Sequence, residues 1–229
     1  SSQTQRFDPT RMIVFGDESS LLLPGSSPTA TDGRRYTNSE FTPDTTTVDC
    51  RSNPLWVQFL ATEYGLVFAE CNPGNLTPTV QMRATAGAKV ADVVAAVDAF
   101  LASTPGNQPV PTDLITMMVG TNDVLELYDS VITSALTQAA AVAEIERRGQ
   151  LLAAQINRLT NDSNTLGRVM YATVPRVSLT PFGRSQSVDN RSLLQLLTDS
   201  FNDSMRRDVR INGRSLGFLN ASQTFTNIV

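Results

Sequence analysis

The nine residues from Met12 to Ser20, MIVFGDESS, join a buried strand to an unusual turn. The apolar run from Met12 to Phe15 predicts a short strand, and Gly16-Asp17 predicts a tight turn at its end. Glu18 follows at once, so this turn presents a carboxylate beyond the strand. The sequence therefore raises the question of whether Glu18 performs chemistry or stands in place of a group that would.

Composition limits the class of protein. The 229 residues carry 41% hydrophobic content and a net charge of −4, which suits one sizeable core. Lys and Arg are not clustered, which argues against a nucleic-acid-binding surface. No run approaches the ~18 apolar residues of a membrane span, so no transmembrane segment is expected.

Cys50 and Cys71 are the two cysteines, and turn-forming residues surround both. Two cysteines in a polar, Ser/Thr/Asn-rich chain predict one disulfide and hence an exported protein, periplasmic, cell-surface or extracellular. The alternative is two buried free thiols in a cytosolic protein. Two thiols in a chain without histidine do not form a zinc site, and no metal or cofactor is expected.

Strand and helix patterns alternate along the chain, without an internal repeat. Strands are predicted at 11–15, 66–68, 113–119, 168–173 and 215–220, and helices at 54–64, 88–101, 133–159 and 190–209. This order predicts a doubly wound α/β fold with a parallel sheet. Residues 1–10 are predicted to be a polar tether, and 11–229 a single domain. Ligands of such folds bind beyond the carboxyl ends of the strands, here near Gly16–Glu18 and Gly120–Asp123.

Five segments stand at or beside the predicted strand ends and helices: VFGDES from Val14, ATAGAKV from Ala84, MMVGTND from Met117, VMYATVPRVSLTP from Val169 and FNDSMRRDV from Phe201. In this order they resemble blocks of the SGNH (GDSL-type) hydrolase superfamily. The resemblance runs from Met12 to about Asn220. It implies a three-layer α/β/α, flavodoxin-like fold and an ancestral activity on lipid, acyl or acetyl-glycan esters. It also implies a nucleophilic serine at position 18 and an oxyanion hole completed by the Gly87 amide and the Asn122 side chain, with Gly120 and Asp123 flanking.

The chain departs from that family pattern in two ways. Position 18 is glutamate, and the late Asp-x-x-His block is not present, since the chain contains no histidine. A domain that lacks its C-terminal end would explain the second departure. It would not explain Glu18.

Glu18 has three interpretations. The nucleophile has moved to Ser19 or Ser20, which lack a histidine to take the proton. Glu18 itself acts as general base or nucleophile, although a helix N-terminus and amide donors weaken a carboxylate as a base. In the third interpretation, which we favour, Glu18 is a resident anion that accepts hydrogen bonds from Gly87, Asn122 and the amides of its own turn.

Two further carboxylates receive structural roles: Asp17 tightens the turn, and Asp123 caps the next helix. The sequence thus predicts a catalytically silent domain with a binding or extracellular-assembly role. Its expected partners are a second copy of the chain, or an extracellular protein or glycan. An atypical esterase is the alternative function.

Overall fold

A computed structural model describes residues 6–24, 33–36, 49–103, 108–160, 167–211 and 216–223. Its centre is a five-stranded sheet in the order β2-β1-β3-β4-β5. All four strand pairs are parallel. The strands are β1 (Arg11–Gly16), β2 (Val80–Met82), β3 (Asp113–Met118), β4 (Arg168–Ala172) and β5 (Leu216–Leu219). The predicted α/β fold with a parallel sheet is confirmed.

In the described ranges, six helices of five or more residues accompany the sheet: α1 (Trp56–Glu63), α2 (Val90–Leu101), α3 (Thr121–Ile132), α4 (Gln138–Thr160), α5 (Pro181–Ser185) and α6 (Val188–Asp208). A 3-10 turn spans Val177–Leu179. The predicted helix 133–159 begins only at Gln138, and α3, which ends at Ile132, was not predicted. The predicted strand 66–68 is wrong: the carbonyl of Val67 instead accepts from the amides of Thr79 and Val80, where β2 begins. Residues 1–5 of the predicted tether lie outside the described residues.

Both faces of the sheet are buried, as in parallel sheets covered by helices. Ile13 and Phe15 of β1 pack in one cluster with apolar side chains of α2, α4 and α6. Met12 and Val14 point to the opposite face and pack with α1. The continuous apolar strands of the sequence follow from this burial on two sides.

A disulfide joins Cys50, before α1, to Cys71, in the loop that leads to β2. It ties together the two segments that flank α1 and confirms the predicted pairing. None of the helices described is long and apolar enough to cross a membrane.

Gly16 ends β1 and Gly120 follows β3, and both have a positive φ, which favours glycine. A Cβ on Gly16 (φ +149°) would lie 2.3 Å from the Met118 carbonyl oxygen. A Cβ on Gly120 (φ +135°) would lie 2.4 Å from a ring carbon of Phe201. The chain can therefore turn sharply at both strand ends, which brings the following residues close together.

Candidate functional site

Three segments meet beyond the carboxyl ends of β1 and β3: the turn at Asp17–Ser20, the loop at Thr85–Ala88 and the first turn of α3. The Asp17 amide donates to the Met118 carbonyl at 3.3 Å, and the Thr85 amide donates to the Gly16 carbonyl at 3.0 Å. These backbone bonds fix the turn and the loop against the strand ends. Topology thus gathers residues that are far apart in the chain.

The Glu18 carboxylate lies between the two predicted donors. Its Oε2 accepts from the Gly87 amide at 2.8 Å. The Asn122 Nδ2 lies 3.1 Å from both Oε1 and Oε2. Glu18 and Asn122 are half-buried, whereas Gly87 is exposed. Because the acceptor is a carboxylate, these are charge-assisted bonds, the stronger kind.

The sequence analysis expected the amides of this turn to donate to the Glu18 carboxylate, but they donate to Asp17 instead. The Ser19 amide and hydroxyl donate to Asp17 Oδ1 at 2.9 Å and 2.5 Å. The Ser20 amide donates to the Asp17 carbonyl at 3.1 Å. Burial raises the pKa of the Asp17 carboxyl to about 6; the bonds from Ser19 limit this rise, and the neighbouring charge of Glu18 adds to it. Asp17 does tighten the turn, as predicted.

Both serines after Glu18 are held by other groups. The Ser19 hydroxyl donates to Asp17. Ser20 is fully buried, and its Oγ accepts from the Trp56 indole nitrogen at 3.0 Å. A substrate cannot reach Ser20, so the interpretation with Ser20 as a displaced nucleophile has no support in this geometry.

Asp123 does not cap α3, contrary to the prediction. It is buried, and its Oδ2 accepts from the amide of Val90, at the start of α2, at 3.0 Å. Its Oδ1 accepts from Nη1 of Arg148, on α4, at 3.0 Å. Burial raises the pKa of Asp123, and the bonds from Val90 and Arg148 oppose that rise. The sequence analysis missed Arg148, since only its i, i+4 spacing from Glu144 is visible in sequence and Asp123 lies 25 positions away.

The remaining predicted site residues, Gly120, Cys50 and Cys71, have structural roles. Gly120 packs against Phe201 at the start of α3. Cys50 and Cys71 form the disulfide described above. Within the described ranges, no group of three or more His, Cys, Asp or Glu side chains is arranged to hold a metal ion.

The chain belongs to the GDSL-like lipase/acylhydrolase family, whose model matches residues 21–224. That match begins just after the turn that carries Glu18. Among solved structures, an extracellular lipase from Streptomyces rimosus is similar at 20% identity and a TM-score of 0.50, over 95% of this chain and 82% of that chain. A phospholipase A1 from Streptomyces albidoflavus is similar at 14% identity and a TM-score of 0.48, over 95% and 82%. No curated protein matches the chain in sequence. At such identities the lipase structure supports the fold alone.

Proposed function

We propose that this chain is a catalytically silent GDSL-family domain of an exported protein, with a role in binding or extracellular assembly. One observation carries the proposal. The Glu18 carboxylate accepts from the Gly87 amide and the Asn122 side chain, the two groups that family resemblance assigns to the oxyanion hole.

The physical reason is competition for the same donors. Ester hydrolysis by a nucleophile needs donors that are free to bind the oxygen on which negative charge develops. Here a carboxylate of the chain itself holds them. Hydrogen bonds to a charged group contribute ~1.5–3 kcal/mol each, so a neutral ester carbonyl is a poor replacement for Glu18. The site is filled before any substrate arrives.

Hydrolysis of p-nitrophenyl butyrate and octanoate tests the proposal. Purified wild type, Glu18→Gln and Glu18→Ala are compared with Glu63→Gln, a control at an exposed glutamate that ends α1. We expect all four proteins to match the rate without protein. Turnover by the wild type that Glu18→Gln abolishes and Glu63→Gln retains would overturn the proposal.

Occupation of the donors has a test of its own. Glu18→Ala removes the resident carboxylate, and added acetate is then expected to bind between Gly87 and Asn122. NMR follows the Gly87 amide resonance during an acetate titration. We expect a saturable shift in Glu18→Ala and none in the wild type. An equal response in both proteins would mean that Glu18 does not hold the donors.

An atypical esterase is the second candidate function. Family membership and the partial exposure of Glu18 favour it, because a half-buried carboxylate beside amide donors can meet a small ester. In that case Glu18 would itself act as general base or nucleophile. The ester assay above separates the two functions.

Export and partners belong to the proposal as well. The Cys50–Cys71 disulfide supports an oxidising compartment. For the partner we propose a second copy of the chain, or an extracellular protein or glycan. Light scattering on the purified protein measures self-association directly, and a monomer at all concentrations would leave the assembly role to a different partner.

A further inference from the structure

We propose that Arg148 of α4 is a positioning residue for the Glu18 site, acting through Asp123 and Glu126 to set the separation of Gly87 and Asn122. Among the described residues, Arg148 makes no hydrogen bond or ion pair with Glu18, Gly87 or Asn122, and it acts on them through α3. The inference deepens the proposed function, because it rests on the occupation of those donors by Glu18.

Two consecutive side chains of α3 hold the loop that carries Gly87. Asn122 Nδ2 donates to the Ala88 carbonyl at 3.1 Å, in addition to its bonds with Glu18. Asp123 Oδ2 accepts from the Val90 amide at 3.0 Å. The two residues that flank Lys89, Ala88 and Val90, are thus tied to the first turn of α3. The position of Gly87 relative to Asn122 depends on these ties.

Glu126 supplies a third tie, one turn further along α3. It pairs with the amino group of Lys89, the residue before α2 begins. Glu126 lies on the same side of α3 as Asp123, as residues three apart in a helix do. The loop–α2 junction is therefore attached to α3 by Asp123 and Glu126 together.

Arg148 binds both of these carboxylates. Its Nη1 donates to Asp123 Oδ1 and its Nη2 donates to Glu126 Oε1, each at 3.0 Å. Its Nε donates to Glu144 Oε1 at 2.9 Å, which fixes the guanidinium on its own helix. The Arg148 side chain is 16% exposed and that of Asp123 1%. Three carboxylates in different directions suit the planar fork of arginine and not the single ammonium of lysine.

The relative positions of Gly87 and Asn122 depend on Arg148 because its guanidinium compensates the charge of Asp123. Without its cation, Asp123 would be a buried carboxylate without compensation, which a fold tolerates poorly. Asp123 would then turn away from Val90 towards water, or take up a proton and hold the Val90 amide only as a weaker, uncharged acceptor. Either change loosens the start of α2 from α3 and lets Gly87 move away from Asn122. The Glu18 carboxylate would lose at least one of its two donors.

NMR on the full chain tests this, with the Gly87 amide as the reporter. The variants are Arg148→Met and Arg148→Lys, and Arg147→Met is the matched control. Arg147 is the adjacent residue, and its side chain, 57% exposed, pairs with Glu144. In Arg148→Met we expect the Gly87 amide resonance to move upfield and its hydrogen exchange to become about tenfold faster, which corresponds to one lost charge-assisted bond. Arg147→Met should leave both unchanged.

Arg148→Lys keeps the positive charge but loses the planar guanidinium. We expect it to fold, because Asp123 still faces a cation, and to show part of the change in the Gly87 amide resonance and its hydrogen exchange. Adding Asp123→Asn to Arg148→Met removes the uncompensated charge and keeps an acceptor for Val90. This double variant should restore the Gly87 resonance in part. A purely structural role for Arg148 predicts a lower melting temperature without a change at Gly87.

A lower melting temperature of Arg148→Met with an unchanged Gly87 resonance would overturn the positioning role. If Arg148→Met does not fold, the same result in Arg148→Lys would overturn it. Failure of the proposed function is a different result. It is Glu18-dependent ester turnover, or a Gly87 amide resonance that responds equally to acetate in the wild type and in Glu18→Ala, and both are measured on proteins with Arg148 intact.

Discussion

Asp17 and Glu18 are neighbours in the chain, but their carboxylates have opposite surroundings. Asp17 is 2% exposed and accepts from Ser19, within its own turn. Glu18 is half-buried and accepts from residues 69 and 104 positions away. Burial disfavours the charged form of Asp17 and raises its pKa, whereas the Glu18 carboxylate is held by donors from distant parts of the chain. The two residues should therefore respond differently to substitution.

Asp17→Asn should remove a pH dependence of stability. Because the folded-state pKa of Asp17 is raised to about 6, its stabilising contribution is present below pH 4 and lost as the pH rises through 6. Asparagine keeps an acceptor for Ser19 without the charge. We expect the variant to match the wild type near pH 4 and to exceed it at pH 7 by up to roughly 2–3 kcal/mol.

Urea unfolding at several pH values between 4 and 7.5 measures this difference. Other carboxylates titrate alike in both proteins, so the difference isolates Asp17. Parallel stability curves for the two proteins over that range would show that the Asp17 carboxyl is already ionised at pH 4.

Asn122→Asp places a second carboxylate where Nδ2 now donates to Glu18 at 3.1 Å. A hydrogen bond becomes a repulsion between like charges. The expected loss at pH 7 is roughly 1–3 kcal/mol, smaller near pH 4 where carboxylates take up protons. Thermal unfolding measures it. The double variant Asn122→Asp with Glu18→Gln exchanges the two groups and should recover much of the loss, whereas additive effects would contradict a direct contact.

Family resemblance located Glu18, Gly87 and Asn122 together, because strand ends in a parallel sheet meet at one edge. It did not predict that the Ser19 and Ser20 amides bind Asp17, since the direction of an amide depends on the backbone angles of the turn. The role of Arg148 was not predictable from the sequence either. Its contact with Asp123 depends on how α4 crosses α3, and the sequence does not specify that crossing.

At the scale of helices, α4 and α6 approach each other closely at Gly149. A Cβ there would lie 2.1 Å from Ser204 Oγ and 2.7 Å from the Phe201 carbonyl oxygen. Gly149→Ala must push the two helices apart, which should lower the free energy of unfolding by about 1–3 kcal/mol despite the better helix propensity of alanine. Denaturant unfolding measures this change.

Gly74→Ala is the matched control, because the nearest atom to an added Cβ is Leu76 Cγ at 3.6 Å. It should change stability little. Equal effects of the two substitutions would mean that the helices yield at Gly149 without cost.

Length alone did not decide which elements were predictable: the 12-residue α3 was not predicted, whereas the four-residue β5 was. β3 is a continuous apolar run, and the predicted strand 113–119 differs from Asp113–Met118 by one residue. β2 has three residues, of which Val80 alone is buried, so its sequence carries no periodic signal. The segment 133–137 separates α3 from α4 without proline or glycine, and the turn at Ser134, with a φ of +60°, could not be foreseen.

For the whole molecule, the disulfide closes a loop between cysteines 21 positions apart. Closing such a loop restricts the unfolded chain and should contribute about 3 kcal/mol to stability. Replacing both cysteines by serine should lower the guanidinium midpoint accordingly, and reduction of the wild type should give a similar value. A loss well below about 1 kcal/mol would show that the packing around α1 holds these segments without the bridge.

The bonds from Gly87 and Asn122 to Glu18 also bear on how this chain would appear in a survey of enzymes. A ligand attached to its own receptor has an effective concentration in the millimolar range or above, which dilution cannot lower. Fluorophosphonate reagents label serine hydrolases by reacting with the nucleophile while an oxyanion hole receives the phosphoryl oxygen. With glutamate at position 18 and its donors engaged, the chain should stay unlabelled, so a protein with a hydrolase fold would be counted among the non-hydrolases.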